Sequence, residues 1–290
     1  MVSIIIINYK QKTLLRDCIK SIFDVIKSYP YEIIIINNSP EENLDSLKLE
    51  YPSVKLINSE NKGFASANNI GAKNSSGEYL FFLNADTIIK TDFLLNFINS
   101  FKEIEFGVAG LKLYNTDNTF QLSFWKENTF FDELDNKRDE KDFKKRNINF
   151  INEIEYQNSE ICEVEWVSGA AMIIKKNVFG SVDGFDERFF LFYEDADLCK
   201  RLLSKGLKIY FYPFCKIIHL KGENANKEFA NKTYYYSKKS QLLYYKLHNS
   251  FFQRLLLRIY LILRFALLSI LTFKKINFDI LKLTLGVKND

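Results

Sequence analysis

The first hundred residues hold four short β-branched or aromatic runs, and each of them ends in asparagine. Residues 2–7, 32–36, 54–57 and 79–83 are apolar at nearly every position, the pattern of strands buried on both faces of a parallel sheet. They run into Asn8-Tyr9-Lys10, Asn37-Asn38-Ser39, Asn58-Ser59-Glu60 and Asn84-Ala85-Asp86-Thr87. Between the first two runs Leu14, Leu15, Cys18, Ile19, Ile22, Phe23 and Ile26 recur at helical spacing, and Phe93, Leu94, Phe97, Ile98 and Phe101 do so from a helix start near Asp92. Alternating strand and helix implies an α/β fold with a mostly parallel sheet and right-handed crossovers. In such sheets ligands bind beyond the carboxyl ends of the strands. One polar cluster after a strand is ordinary turn chemistry; four on one edge mark a site.

Several function classes are disfavoured. No GxGxxG follows the first strand and no GxxxxGK[ST] occurs, which argues against a dinucleotide oxidoreductase and a P-loop NTPase. A phosphorylated ligand would then need a metal or individual side chains. Cys18, Cys162, Cys199 and Cys215 form no CxxC pair, so neither a zinc site nor a disulfide framework is indicated, and a reducing compartment is expected. The apolar run at the N-terminus has no basic flank and is too short for a signal peptide, so it reads as a strand of a cytoplasmic protein. With 47% hydrophobic residues, 27 Phe and 16 Tyr, the 290 residues can build a sizeable core.

The later chain supplies further chemistry. Residues 126–165 are rich in charge and asparagine and read as a solvated helix or insertion. Strand character returns over 164–174, a helix is expected over 195–205 before Gly206, and another strand over 207–213, with the body ending near His219. Asp86 at a strand end suits a hard cation such as Mg²⁺ or Mn²⁺, which takes one or two carboxylates and fills its shell with water and phosphate oxygens; a helix cap explains it equally well. Trp166 beside Ser168-Gly169-Ala170 lets a sugar ring approach the backbone, or is a core indole among small neighbours. Glu194, Asp195 and Asp197 follow the aromatic run 189–193, where burial and mutual repulsion can raise one carboxylate toward a useful base, and where acids also cap helices. His219, before Lys221-Gly222, can complete a cation site begun by Asp86. His248 reads as part of an amphipathic helix without a role.

Taken in order, residues 2–9, Asn37-Asn38-Ser39, 61–69, 77–87, 166–170, Gly184-Phe185-Asp186-Glu187, Glu194-Asp195-Ala196-Asp197-Leu198-Cys199 and His219 resemble family 2 glycosyltransferases, in particular their rhamnosyltransferase-like branch. The resemblance implies a glycosyltransferase A fold, a Rossmann-like sheet flanked by helices with a C-terminal helical tail. It implies an inverting, metal-dependent transferase moving a sugar, rhamnose for instance, from dTDP-rhamnose or a UDP-sugar to a glycan or lipid-linked cell-surface precursor. By the same resemblance Asp195 is the base, Asp86 holds the metal, and Asn8, Asn37, Asn61, Gly63, Asn68 and Asn84 bind the donor. Trp166, Gly169 and Glu194 fall to the acceptor. Two positions depart from the common pattern: Asn37 stands where many relatives have Asp, and Asn84 opens the metal motif. A non-catalytic sugar- or membrane-binding homologue is the alternative; a sugar-phosphate nucleotidyltransferase would need a Gly-rich loop after the first strand, where Asn8-Tyr9-Lys10-Gln11 stands. The expected division is a donor half over 1–110, an acceptor and catalytic half over 111–225, and a basic tail over 226–290.

Charge is segregated along the chain. From Lys232 onward 11 Lys/Arg face 2 Asp, so the tail carries +9 and the remainder −5 of the net +4. Residues 255–273 are the most apolar long stretch, but Arg258 and Arg264 interrupt it, and each central Arg costs about 2.5–3.5 kcal/mol in a spanning helix. An in-plane helix is cheaper. Lys238, Lys239, Lys246, Arg254, Lys274 and Lys275, mixed with Tyr234, Tyr235, Tyr236, Tyr244, Tyr245 and Tyr260, suit an anionic headgroup layer on the inner face of the cell membrane. The alternative is a helical pair packed on the body or on a second copy, as a homodimer. No nucleic-acid partner is expected, since the basic tract has no recognisable binding fold.

Overall fold

The computed structural model describes residues 1–125, 129–220 and 227–287. In chain order the elements are β1 (Val2–Asn8), α1 (Lys12–Val25), β2 (Tyr31–Asn37), α2 (Asp45–Glu50), β3 (Lys55–Asn58), α3 (Phe64–Lys73), β4 (Tyr79–Asn84), β5 (Thr87–Ile89), α4 (Leu94–Ser100) and β6 (Val108–Tyr114). There follow β7 (Phe120–Gln121), β8 (Phe124–Trp125), α5 (Phe130–Lys144), α6 (Ile148–Gln157), β9 (Cys162–Val164), β10 (Trp166–Val167), β11 (Ala171–Lys175), α7 (Lys176–Ser181), α8 (Glu194–Ser204) and β12 (Ile209–His219). Three helices close the chain: α9 (Lys227–His248), α10 (Phe251–Thr272) and α11 (Lys275–Leu285).

One sheet runs β3-β2-β1-β4-β11-β6-β12-β5, with β7 beside β6 and β9 beside β12. Strands β1 to β4 are mutually parallel, β6 runs parallel to β12, and β11 lies antiparallel between β4 and β6. The apolar runs separate by the two-residue period of a strand. Ile4, Ile6, Ile33, Ile35, Phe81 and Leu83 pack with Leu15, Cys18, Ile19, Ile22, Leu94 and Phe97 of α1 and α4. Ile5, Leu80 and Phe82 face the other way, toward Ala65 and Ala72 of α3 and Leu198, Cys199 and Leu202 of α8. The expected boundary at 110/111 falls inside β6, so both halves contribute strands to this one sheet.

The sheet packs tightly where β10 lies over β6. A Cβ on Gly110 would sit 2.4 Å from Val167 Cβ, inside any tolerable contact. Gly110→Ala is therefore expected to cost roughly 1–3 kcal/mol, the usual penalty of overpacking, read as a lower denaturation midpoint with an unchanged m-value. A midpoint equal to the parent's would mean that β10 gives way freely.

The structure corrects several expectations. The strand character expected over 164–174 is divided among β9, β10 and β11, with Ser168-Gly169-Ala170 turning away between β10 and β11 to meet α8. The strand expected to end at Pro213 continues to His219 through a register shift between Tyr212 and Ile217, which accommodates a residue with no N–H for the ladder. The charged insertion contains two helices, α5 and α6; residues 126–128 lie outside the described residues. In the tail, Tyr244 and Tyr245 are buried against Leu257, Leu261, Phe265 and Ile280 rather than turned outward. Lys238 is turned inward too: burial pushes its ammonium down to about 8, and it donates to Gln241 Oε1 at 2.9 Å. The tail is thus a three-helix unit with its own core, which also takes in Phe189 and Ala196 from the segment around α8.

Candidate active site

Parallel pairing sets Asn8 beside Asn37 and Asn37 beside Asn58 in register, so the three strand ends form an asparagine ladder. Asn8 Nδ2 donates to Asn37 Oδ1 at 2.9 Å and to Glu42 Oε2 at 2.8 Å, and Asn37 Nδ2 donates to Asn58 Oδ1 at 3.0 Å. Asn8 and Asn37 are buried, and their amides hold the edge of the sheet rigid. Next to the ladder, Asn38 Nδ2 reaches Gly63 O at 3.4 Å, while Asn38 Oδ1 is buried with no protein partner.

The loop before α3 closes this end of the site. Asn61 Oδ1 accepts the Gly63 N–H at 3.1 Å, and Gly63 adopts φ 103°, a conformation that favours glycine. A Cβ there would also lie 2.4 Å from Phe190 O, so this loop and the one before α8 touch backbone to backbone, fixed by Phe64 N–H to Phe190 O at 2.9 Å. Asn68 lies one turn into α3, buried, with its Nδ2 on Phe64 O at 3.0 Å.

On the other side of β4 the candidate cation ligands meet. Strand β5 pairs antiparallel with the end of β12, Thr87 opposite His219, and Leu220 N–H bonds to Asp86 O at 2.9 Å. This places His219 Nε2 3.3 Å from Asp86 Oδ1 and 3.4 Å from Asn84 Nδ2. The Lys221-Gly222 pair after His219 lies outside the described residues. Gln121, on β7, faces the other ring nitrogen, with Oε1 2.8 Å from His219 Nδ1.

Asp195 stands in the first turn of α8. Its Oδ2 accepts the Gly169 N–H at 2.9 Å and its Oδ1 the Ala196 N–H at 2.8 Å. Gly169 is followed by Ala170, whose carbonyl accepts the Asn84 N–H at 2.9 Å. One run of hydrogen bonds therefore leads from His219 and Asp86 through Asn84 and Ala170–Gly169 to Asp195. Burial pushes the Asp195 carboxyl above its ordinary value, opposed by the N–H groups of Gly169 and Ala196. Glu194 is more deeply buried; its burial and then the charge of Asp195 push it well above the carboxylate range, and its Oε2 has no protein partner.

The segment before α8 is strained and held. Phe192 (φ 68°) and Tyr193 (φ 67°) are both in the left-handed region, costly for aromatic residues. Tyr193 Oη donates to Glu133 Oε1 of α5 at 2.7 Å, Ser240 Oγ of α9 donates to Leu191 O at 2.8 Å, and Phe190 stacks on Tyr236 at 4.4 Å. Trp166 is stacked face to face on Trp125, with centroids 4.2 Å apart, so one face of the indole expected to meet a sugar is covered. His248, assigned no role from sequence, pairs through Nε2 with Asp197 Oδ1 at 2.7 Å.

Gln121, Glu42, Trp125 and His248 were not legible as site residues. Gln121 sits on a two-residue strand and His248 at the far end of a tail helix, and neither carries a local motif.

The architecture is shared with known enzymes. The chain superposes on GalNAc-T7 crystallised with UDP, GalNAc and Mn²⁺ with TM-score 0.57 and 14% identity, over 84% of this chain and 49% of that one. It superposes on S. aureus TarS with TM-score 0.53 and 14% identity, over 84% of this chain and 39% of that one. The fold is that of the glycosyltransferase A enzymes. Residues 3–172 match the model described as glycosyl transferase family 2, and the chain belongs to that family; residues 154–223 also match the model described as the N-terminal domain of galactosyltransferase. Among curated proteins the chain is 27% identical over 256 residues to the rhamnosyltransferase WbbL of Escherichia coli (strain K12), covering 84% of this chain and 92% of WbbL. It is 35% identical over 68 residues to the N-acetylglucosaminyl-diphospho-decaprenol L-rhamnosyltransferase of Mycobacterium tuberculosis (strain CDC 1551 / Oshkosh), 23% of this chain and 22% of that one.

Proposed function

We propose that the protein is a metal-dependent, inverting glycosyltransferase that moves rhamnose or a related hexose from a nucleoside-diphosphate sugar to a glycan precursor. The observation that carries this is the hydrogen-bonded run from Asp86 and His219 to Asp195, which sets a cation-type donor pair and a raised carboxylate on one sheet edge. Rhamnose is favoured among donor sugars because the two curated relatives described above are named rhamnosyltransferases.

The donor pair fits a divalent ion. The Gln121 amide donates through Nε2 to Asn115 Oδ1 at 2.9 Å and to His219 O at 3.3 Å, so its Oε1 is the atom left for His219 Nδ1–H. His219 Nε2 then presents a lone pair 3.3 Å from Asp86 Oδ1, so the two atoms can ligate one divalent ion together. Among the described residues no cluster of three His, Cys, Asp or Glu offers a complete cage, as suits Mg²⁺ or Mn²⁺ completed by diphosphate oxygens and water. When bound, the ion would offset the charge of the departing nucleoside diphosphate.

The chain's own groups do the rest. Asp195 takes the proton of an acceptor hydroxyl as that oxygen bonds the anomeric carbon, and the carbon–oxygen bond to the diphosphate breaks with its electron pair leaving on the opposite face. The ladder Asn8, Asn37 and Asn58, with Asn61, Gly63 and Asn84, frames the donor; Asn37 is fully engaged as an amide, so its place where relatives have Asp is built in. Asn68, buried behind Phe64, supports that loop. Gly169, Trp166 and Glu194 line the acceptor side. Incubation with dTDP-rhamnose and UDP-hexoses, Mg²⁺ or Mn²⁺ and lipid-linked acceptors tests the reading; neither transfer nor donor hydrolysis across the panel would return the chain to a binding module.

We further propose that α10 lies in the plane of the inner membrane surface. It is long and apolar enough to span by length and composition, yet only 22% of its apolar window is buried in the protein. Leu257, Leu261 and Phe265 face the tail core, while Phe252, Leu255, Ile259, Leu263, Leu267 and Ile270 are exposed along the opposite side, with Lys274 and Lys275 exposed at its end. Ile259→Glu with Leu263→Glu is expected to lower binding to anionic vesicles at least tenfold in flotation, with transfer to a soluble acceptor retained. Vesicle binding equal to the parent's, or a dimer in sedimentation that these changes dissolve, would assign the face to another surface or a second copy.

A further inference from the structure

We infer that Gln121 is a positioning residue for His219: it fixes the imidazole tautomer and so decides whether Nε2 can bind a divalent cation with Asp86. The inference rests on the reading of Asp86 and His219 as cation ligands given above. Gln121 is 2% exposed, on a two-residue strand paired with β6 opposite Leu113. Its amide is oriented by carbonyl oxygens on one side only, Asn115 Oδ1 at 2.9 Å and His219 O at 3.3 Å. Asn115 is itself oriented, its Nδ2 donating to Thr119 Oγ1 at 2.9 Å. The NH₂ of Gln121 must therefore face those oxygens and Oε1 must face His219 Nδ1, at 2.8 Å. An acceptor at that distance requires a proton on Nδ1, which leaves Nε2 bare in the neutral ring. The Asn84 amide, 3.4 Å from Nε2, is a donor to the same lone pair.

A histidine ligand needs such a partner on its second nitrogen: it sets ring orientation and tautomer, and its loss typically costs 10–100-fold in metal affinity. Without Gln121 the ring is free to carry its proton on Nε2, where it would hydrogen-bond Asp86 and occupy both ligands at once. Gln121 thus acts on the cation through His219, from a hairpin 98 residues away in the chain.

The chain has two histidines, so ¹⁵N-histidine labelling gives two resolvable rings. In mildly alkaline buffer the His219 signals, assigned by His248→Gln, are expected to show a protonated Nδ1 and a bare Nε2 in the parent. A proton on Nε2 would overturn the inference without any variant of Gln121. Mn²⁺ binding in the presence of UDP, read by electron paramagnetic resonance, is expected to weaken about 10–100-fold in Gln121→Met, with the His219 tautomer shifted. Asp86→Ala separates the two claims. If it abolishes Mn²⁺ binding while Gln121→Met leaves binding and tautomer unchanged, the role of Gln121 falls and the ligand pair stands; if Asp86→Ala itself binds Mn²⁺ as the parent does, the ligand pair falls.

Discussion

Asp195→Asn is expected to lower kcat by ~10²-fold or more while leaving donor affinity nearly unchanged, because a base acts in the transition state and a donor-binding group acts in the ground state as well. The fold should tolerate the change. Both Asp195 oxygens accept backbone N–H groups, from Gly169 and Ala196, so the asparagine Nδ2 would face one donor, at a cost of about 1–3 kcal/mol. Losing a buried ionisable carboxyl offsets part of this. The pH dependence has a definite sign. Since burial holds the Asp195 carboxyl above its ordinary value, kcat should fall on the acid side at a higher pH than an ordinary carboxylate would set. The same shift means that the folded state binds this proton more tightly than the unfolded state. Its contribution to stability is present below the ordinary carboxylate range and is lost as pH rises through the raised value. Asp195→Asn should flatten that part of the stability profile. Near-parental kcat, or loss of donor binding instead, would return Asp195 to a helix-cap role.

Much of this edge was legible because a parallel sheet turns local sequence into position. Each apolar run that ends in Asn puts that residue on the same edge, so Asn8, Asn37 and Asn84 could be placed on one edge of the sheet without knowing the strand order. The pairing of Asp86 with His219 was legible only as chemistry; what joins them is the antiparallel contact of β5 with β12, more than a hundred residues apart in the chain. Gln121 and His248 had no signal. Their partners come from other elements, and a side chain's role in such a contact is set by tertiary packing that no local period records. The tail misled in part for the same reason: its tyrosines and Lys238 match a headgroup layer by composition, yet Tyr244, Tyr245 and Lys238 are spent on the tail's own core and polar contacts. The outward stripe on α10 survives because it is periodic.

The neighbouring acid should behave in the opposite way. Asp197 is 1% exposed and binds two cationic-type partners, Arg201 Nε at 2.8 Å and His248 Nε2 at 2.7 Å. It therefore ties α8, which carries Asp195, to the end of α9. Arg201 in turn bonds Val182 O at 2.5 Å, so the contact extends to the turn after α7. Asp197→Ala would leave both partners without their shared acceptor. Breaking a buried pair costs about 3–5 kcal/mol; with a quarter of the Arg201 side chain in water, roughly 3 kcal/mol is expected, seen as a fall in Tm. At temperatures well below that Tm, kcat should stay within a few-fold of the parent, because Asp195 keeps its own hydrogen bonds to Gly169 and Ala196. A double-mutant cycle with His248→Ala should then return a coupling energy of roughly 1 kcal/mol or more between the two residues. Additive effects would mean that the tail docks on α8 through its apolar core alone, and a kcat loss equal to that of Asp195→Asn would move the base to Asp197, two residues further along the helix.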